Sequence, residues 1–265
     1  MLVLLPPSEG KATSEAGVGT PLVLDSLSLP RLTPARERVV DTLVAVSEGD
    51  EETAAEVLGL TPGLRGELAR NRALRTAGAL PAGELYTGVL YDALGLATLA
   101  RDAFARAEAA LLVFSGLWGA VRITDRIPPY RCSGGVKLPP LGALGGYWRG
   151  PMGEAMPEIA TGLVLDLRSS AYAGLWKPTG EVAARTATVR VLHERVVAGV
   201  TKRSVVSHFN KATKGRLVRD LLEAGSEPGS PAELADALRE LKYRVEASAP
   251  AAGKPWALDV VVDEL

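Results

Sequence analysis

The sequence predicts an α/β fold: a single compact domain with a mixed β-sheet core, flanking helices and a helix-hairpin-helix-like helical insertion at about 34–105. Three observations carry this expectation. Short apolar runs bounded by turn residues, such as 1–5, 110–114 and 162–167, read as buried strands. Longer stretches of helical period lie between and after them. Finally, no linker long enough to force a split interrupts the 265 residues, a length that one large core can hold.

Taken in order, Met1-Leu2-Val3-Leu4-Leu5 is apolar throughout and breaks at Pro6-Pro7; residues 6–33, rich in Pro, Ser, Gly and Thr, read as loop. A helix is expected from 33 to about 46. Thr33 can cap it, Pro34 suits its first position, and Val39, Val40, Leu43 and Val46 share one face. The acidic stretch 48–52 opens a second helix, where negative charge complements the positive end of the helix dipole. Residues 54–64 run through a Gly/Pro turn into a further helix at 65–75. That pair is either an ordinary part of a helical subdomain or a helix-hairpin-helix, which holds the DNA backbone through the amides of its turn. Strands are expected at 188–192, 204–209, 243–247 and 258–262, and amphipathic helices at 214–224 and 231–241, the latter capped by Ser230 with Glu233 behind it.

Composition narrows the function. Hydrophobic residues at 47% and charged residues at 23% exclude wholesale disorder. Thirty basic against 31 acidic side chains leave a net charge of −1, so attraction to a polyanion must come from a local cluster. One cysteine, Cys132, excludes an intramolecular disulfide, and with only two histidines no metal site or cofactor is implied. The N-terminus lacks the basic start and long apolar run of a secretory signal, and no run is long enough to span a membrane. A cytoplasmic monomer is expected.

The chemistry-bearing candidates fall where predicted strands end, because open α/β sheets bind ligands at the carboxyl ends of their strands. The first strand is followed by Ser8-Glu9-Gly10-Lys11, the second by Ser115-Gly116 and the third by Ser169-Ser170 with Tyr172. Lys11 suits a phosphate or carboxylate, although a solvated turn with an incidental lysine gives the same letters. Two prolines stiffen the approach to Tyr130 and Arg131. Arg131 can clamp a phosphate and Tyr130 can stack or donate a hydrogen bond, unless Arg131 is a structural partner of Asp125. The basic run 201–219 holds Lys202, Arg203, Lys211, Lys214, Arg216 and Arg219, with Asp220 directly after it. It reads either as a solvated face or as part of a groove that follows a phosphodiester backbone. Met152, Met156 and the tryptophans fit a core, and Cys132 has no histidine near it in sequence.

Together these segments resemble the peroxide stress resistance proteins of the YaaA type. The resemblance lies in Pro6-Pro7-Ser8-Glu9-Gly10-Lys11, Leu85-Tyr86-Thr87-Gly88-Val89, Phe114-Ser115-Gly116-Leu117-Trp118-Gly119, Pro129-Tyr130-Arg131 and Gly146-Tyr147-Trp148. It continues through 167–172, Trp176-Lys177-Pro178 and Lys211-Ala212 with Lys214-Gly215-Arg216, covering nearly the whole chain in order. It implies a compact α/β body with a positively charged cleft that binds DNA, and a role in limiting iron-driven oxidative DNA damage. Lys11, Arg131, Lys137, Lys177, Lys211, Lys214 and Arg216 are the cleft residues it implies here. The first loop departs from the Pro-Ala-Lys-Thr form of better-known members and puts Glu9 where a carboxylate would repel phosphate.

Two functions are therefore expected to compete. One is a DNA-binding stress protein that contacts the backbone with little sequence preference. The other is an enzyme acting on a nucleobase, a nucleotide or another phosphate-bearing small molecule in the same crevice, by acid–base chemistry among Ser8, Glu9, Lys11, Tyr130, Arg131 and Lys211.

Overall fold

The computed structural model describes residues 1–12, 19–197, 200–248, 250 and 253–262; part of the expected first loop, 13–18, lies outside the described residues. Eight strands form one mixed sheet: β1 (Leu2–Leu5), β2 (Leu111–Ser115), β3 (Gly119–Arg122), β4 (Val164–Asp166), β5 (Thr186–Val197), β6 (Val200–Ser204), β7 (Arg244–Ser248) and β8 (Trp256–Val262). Their order is β7-β8-β5-β4-β1-β2-β3, with β6 paired to β5. β1 lies between β2 and β4, parallel to both, and all four of its residues are buried, as a continuous apolar run requires of a two-faced central strand. β4, β5 and β8 continue in parallel; β3, β6 and β7 are antiparallel to their neighbours.

Between β1 and β2 the chain makes helices α1 (Thr33–Glu48), α2 (Glu51–Leu58), α3 (Glu67–Arg72), α4 (Val89–Leu94) and α5 (Arg101–Ala110). Helix α1 buries Val39, Val40 and Leu43, the face its periodicity announced, but Thr33 is its first turn rather than its cap, and the Thr33 Oγ1 is buried without a partner. Asp50 caps α2 by accepting from the Thr53 amide at 2.9 Å. Helices α2 and α3 both pack on α1. Helix α6 (Leu144–Ile159) leads from β3 to β4 with Pro151 and Pro157 inside it, held by buried Trp148, Met152, Ala155 and Met156 at helical spacing. The last two helices are α7 (Ser207–Ala224) and α8 (Pro231–Glu240), the latter capped by Ser230 through the Glu233 amide.

Residues 204–209 were expected as a strand and are not one. β6 stops at Ser204 and α7 begins at Ser207, about five turns of helix that pack against α4 and α5. Val205 and Val206 favour extended backbone locally, and packing overrides that preference. Among the described residues, no helix is long and apolar enough to cross a membrane.

Candidate functional site

The sheet has a switch point. From β1 the chain departs to one side and returns as β2; from β4 it departs to the other and returns as β5. Diverging connections leave a crevice at the carboxyl ends of β1 and β4. A cavity of about 560 Å³ lies there. The loop after β1 supplies Pro6 to Gly10 as one wall, and Leu167, Ser169, Ala171 and Tyr172 after β4 supply the facing wall. Thr87 to Tyr91, Ser133-Gly134, and Asn210, Lys211 and Lys214 of α7 close the remaining sides.

The first wall is shaped by bonds to the chain at 85–91. The Thr87 amide donates to the Gly10 carbonyl at 3.3 Å and the Ala12 amide to the Leu85 carbonyl at 2.8 Å. The Ser8 hydroxyl bonds the carbonyls of Gly10, at 2.7 Å, and Thr87. The Tyr91 hydroxyl donates to the Pro6 carbonyl at 2.8 Å. Gly88, with φ of 98°, makes the turn into α4, a backbone region that side chains avoid.

Glu9 and Arg131 meet at the rim, with Arg131 Nη1 at 3.1 Å from Glu9 Oε2. The carboxylate expected to repel phosphate is thus partly neutralised, and Arg131 pairs with Glu9 rather than with Asp125. Asp125 instead accepts from the amide and hydroxyl of Ser28 and from the Arg122 amide. Asn71 fixes the Arg131 backbone, its amide group bonding both the Arg131 carbonyl and the Arg131 amide. Arg131 also lines a second hollow with Lys137, Glu56 and Gly59, and the two hollows share Glu9 and Ser133. One concave surface therefore runs from α7 to the turn after α2.

Lys11 lies behind the first wall. Its ammonium donates to the Ser8 carbonyl at 2.9 Å and stands 4.3 Å from the centre of the Tyr130 ring. Burial pulls its pKa from 10.5 down to about 8, against the opposing pull of Glu9. Tyr130 is 2% exposed, and its hydroxyl lies 2.6 Å from the Ser115 hydroxyl and 2.8 Å from that of Tyr86. The Ser115 hydroxyl also accepts from the amides of Leu117 and Trp118. Ser115 and Tyr130 thus brace the wall from beneath, their hydroxyls engaged and buried.

Of the remaining candidates, Ser8, Glu9, Tyr172, Lys211 and Lys214 line the crevice, and Arg131 and Lys137 line the adjoining hollow. Lys177 and Arg216 are exposed and line neither, while Arg203 is bound to Glu194 and Glu246, and Arg219 to Glu223. The basic run is dispersed because Lys202 and Arg203 belong to β6, while Lys211, Lys214, Arg216 and Arg219 belong to α7 and spread around that helix. Cys132 is buried and its thiol is pushed up to about 12 by desolvation, so it is a core residue. Tyr91, Ser133 and Gly134 were missed: Tyr91 reads as a helical core residue, and Gly134 is needed where a Cβ would stand 2.8 Å from the Tyr172 ring. A larger hollow of about 1010 Å³ lies across the wall of Thr87 and Tyr91, with Glu84, Asp92 and Glu108 against Arg101, a charge balance unsuited to a phosphate.

A family model described as peroxide stress protein YaaA matches residues 1–249. A UPF0246 protein of Streptomyces coelicolor is 67% identical over 267 residues, covering 100% of both chains. A UPF0246 protein of Corynebacterium efficiens is 43% identical over 249 residues, which is 93% of this chain and 95% of that one. A more distant UPF0246 protein, from a Ruegeria strain, is 31% identical over 183 residues. Matched by the family model over residues 1–249 and 67% identical to a relative along its whole length, the chain belongs to the peroxide stress protein YaaA family, also designated UPF0246.

Proposed function

We propose that this member of the peroxide stress family binds DNA along the concave surface between α7 and the turn after α2, and so limits iron-driven oxidative DNA damage. The observation that carries the reading is the continuity of the two hollows through Glu9 and Ser133, which puts the accessible cations Lys211, Arg131 and Lys137 along one path in a protein of net charge −1. Such a path supplies phosphate contacts without base contacts, which favours position over sequence. The turn at 59–64, as a helix-hairpin-helix-like element, would offer the backbone amides of Thr61 and Gly63 at its far end, those of Gly59, Leu60 and Leu64 being bonded within the chain. With two histidines and one cysteine in the chain, few soft ligands exist for iron itself, and protection is assigned to occupancy of DNA.

Duplex binding followed by fluorescence anisotropy across a salt series tests this. The slope of log K against log salt is about −0.9 per neutralised phosphate, so up to about −2.7 with Lys211, Arg131 and Lys137 engaged. The Lys137→Ala protein, altered only at an exposed cation, is expected to have a slope shallower by about 0.9. Absence of duplex binding even at low ionic strength overturns the proposal.

A further inference from the structure

Among the described residues, the crevice holds a buried cation without a counter-ion, and we propose that the crevice is the binding site for a phosphate monoester, carried by a free nucleotide or by the phosphorylated end of a DNA strand. Lys214 is 9% exposed and faces the cavity. Among the described residues, its one hydrogen bond is to the Leu167 carbonyl at 3.2 Å. Asp166, whose charge it feels, is occupied by Arg168: Nε reaches Oδ1 at 2.8 Å and Nη2 reaches Oδ2 at 2.6 Å. Withdrawing an ammonium from water without an anion is unfavourable, and desolvation accordingly lowers the Lys214 pKa.

Two further features of the same wall point to an anion. Lys211 stands one turn earlier on α7, exposed, and adds a like charge to the crevice. The Asn210 side chain lines it too and carries two amide donors, and among the described residues its buried Oδ1 has no partner. A dianion between Lys211 and Lys214 removes their repulsion and supplies the missing counter-charge; a diester, with one negative charge, does so less well. The cavity of about 560 Å³ suits one nucleotide and excludes a duplex, and Tyr172 offers an apolar face beyond the lysines. Only a free nucleotide or a strand end therefore brings a phosphate this deep. The inference stands on the crevice alone, so it and duplex binding along the outer surface can fail separately.

Calorimetric titration of the full chain with deoxyadenosine monophosphate, deoxyadenosine and the methyl phosphodiester provides the test, alongside nicked duplexes ending in a phosphate or a hydroxyl. The monoester is expected to bind at least about ten-fold tighter than the nucleoside or diester. In Lys214→Met, which replaces the cation with a similar apolar volume, that preference is expected to vanish while the melting temperature holds or rises. Preference for the mononucleotide without preference for the phosphorylated nick identifies a free nucleotide; the reverse identifies the strand end. No preference in either pair overturns the site, and so does its survival in a folded Lys214→Met. Should that variant fail to fold, Lys211→Ala alters an exposed side chain and must weaken monoester binding by at least about three-fold, failing which the site is again overturned.

Discussion

Lys11 was legible as a candidate because it follows a strand-end turn, but its setting was not: the Tyr130 and Tyr86 rings that enclose it lie far along the chain and no local pattern announces them. The same holds for Glu9 and Arg131, read singly as a repellent carboxylate and a phosphate clamp and found as a pair. Burial at Lys11 has a consequence for stability. A lysine with folded pKa of about 8 and unfolded pKa of 10.5 is protonated in both states below pH 8, where the folded state bears the full cost of the buried charge. Between those values the unfolded chain holds more protons, so this group's cost fades as pH rises. Lys11→Met removes the charge, and its stability advantage over the parent is expected to be largest at pH 7 and to shrink toward pH 10. Urea unfolding of both proteins at each pH measures the difference, in which the shared tyrosines and Cys132 cancel. A difference that stays flat across this range refutes the assignment.

At the scale of elements, apolar runs ending in turns located β1, β2 and β4 well, because buried parallel strands need no partner-specific pattern. The helices flanked by clear caps, α2 and α8, were equally readable. Helix α6 was hidden by two internal prolines, and the start of α7 by Val205-Val206, where tertiary packing decides against local preference. That packing is visible at Gly215. A Cβ built there would stand 2.2 Å from the Leu90 carbonyl oxygen and 2.9 Å from the Ala93 Cβ. Backbone at that distance cannot give way as a side chain can, so α7 and α4 would have to separate. Gly215→Ala is expected to destabilise by about 3 kcal/mol, although alanine is the better helix former. It should also weaken any ligand of the crevice, since Lys211 and Lys214 ride on α7 and Tyr91 on α4. A melting temperature equal to the parent's would show that the helices can move apart freely.

For the molecule as a whole, the alternation of apolar runs and helices indicated an α/β sheet, while the strand order came only from the structure. Chain order alone does not tell that β4 returns to the far side of β1, and it is that return which opens the crevice. The same topology bears on cooperativity. β1 is hydrogen-bonded on one edge to β2, which closes the helical insertion, and on the other to β4, which begins the half ending in β7 and β8. Helix α7, from that later half, packs on α4 and α5 of the insertion. No cut through the sheet leaves either half with its own covered face, so the chain is expected to unfold in one transition despite its length. Trp118, Trp148 and Trp176 are buried, whereas Trp256 lies on β8, close to the opposite edge of the sheet. In Trp256→Phe, fluorescence reports only on the former three, while far-ultraviolet circular dichroism reports on all the secondary structure. The two urea curves of that variant are expected to superimpose; a second step seen by dichroism alone would mean that β5 to β8 open independently, and that the crevice stands on a hinge between two units rather than inside one.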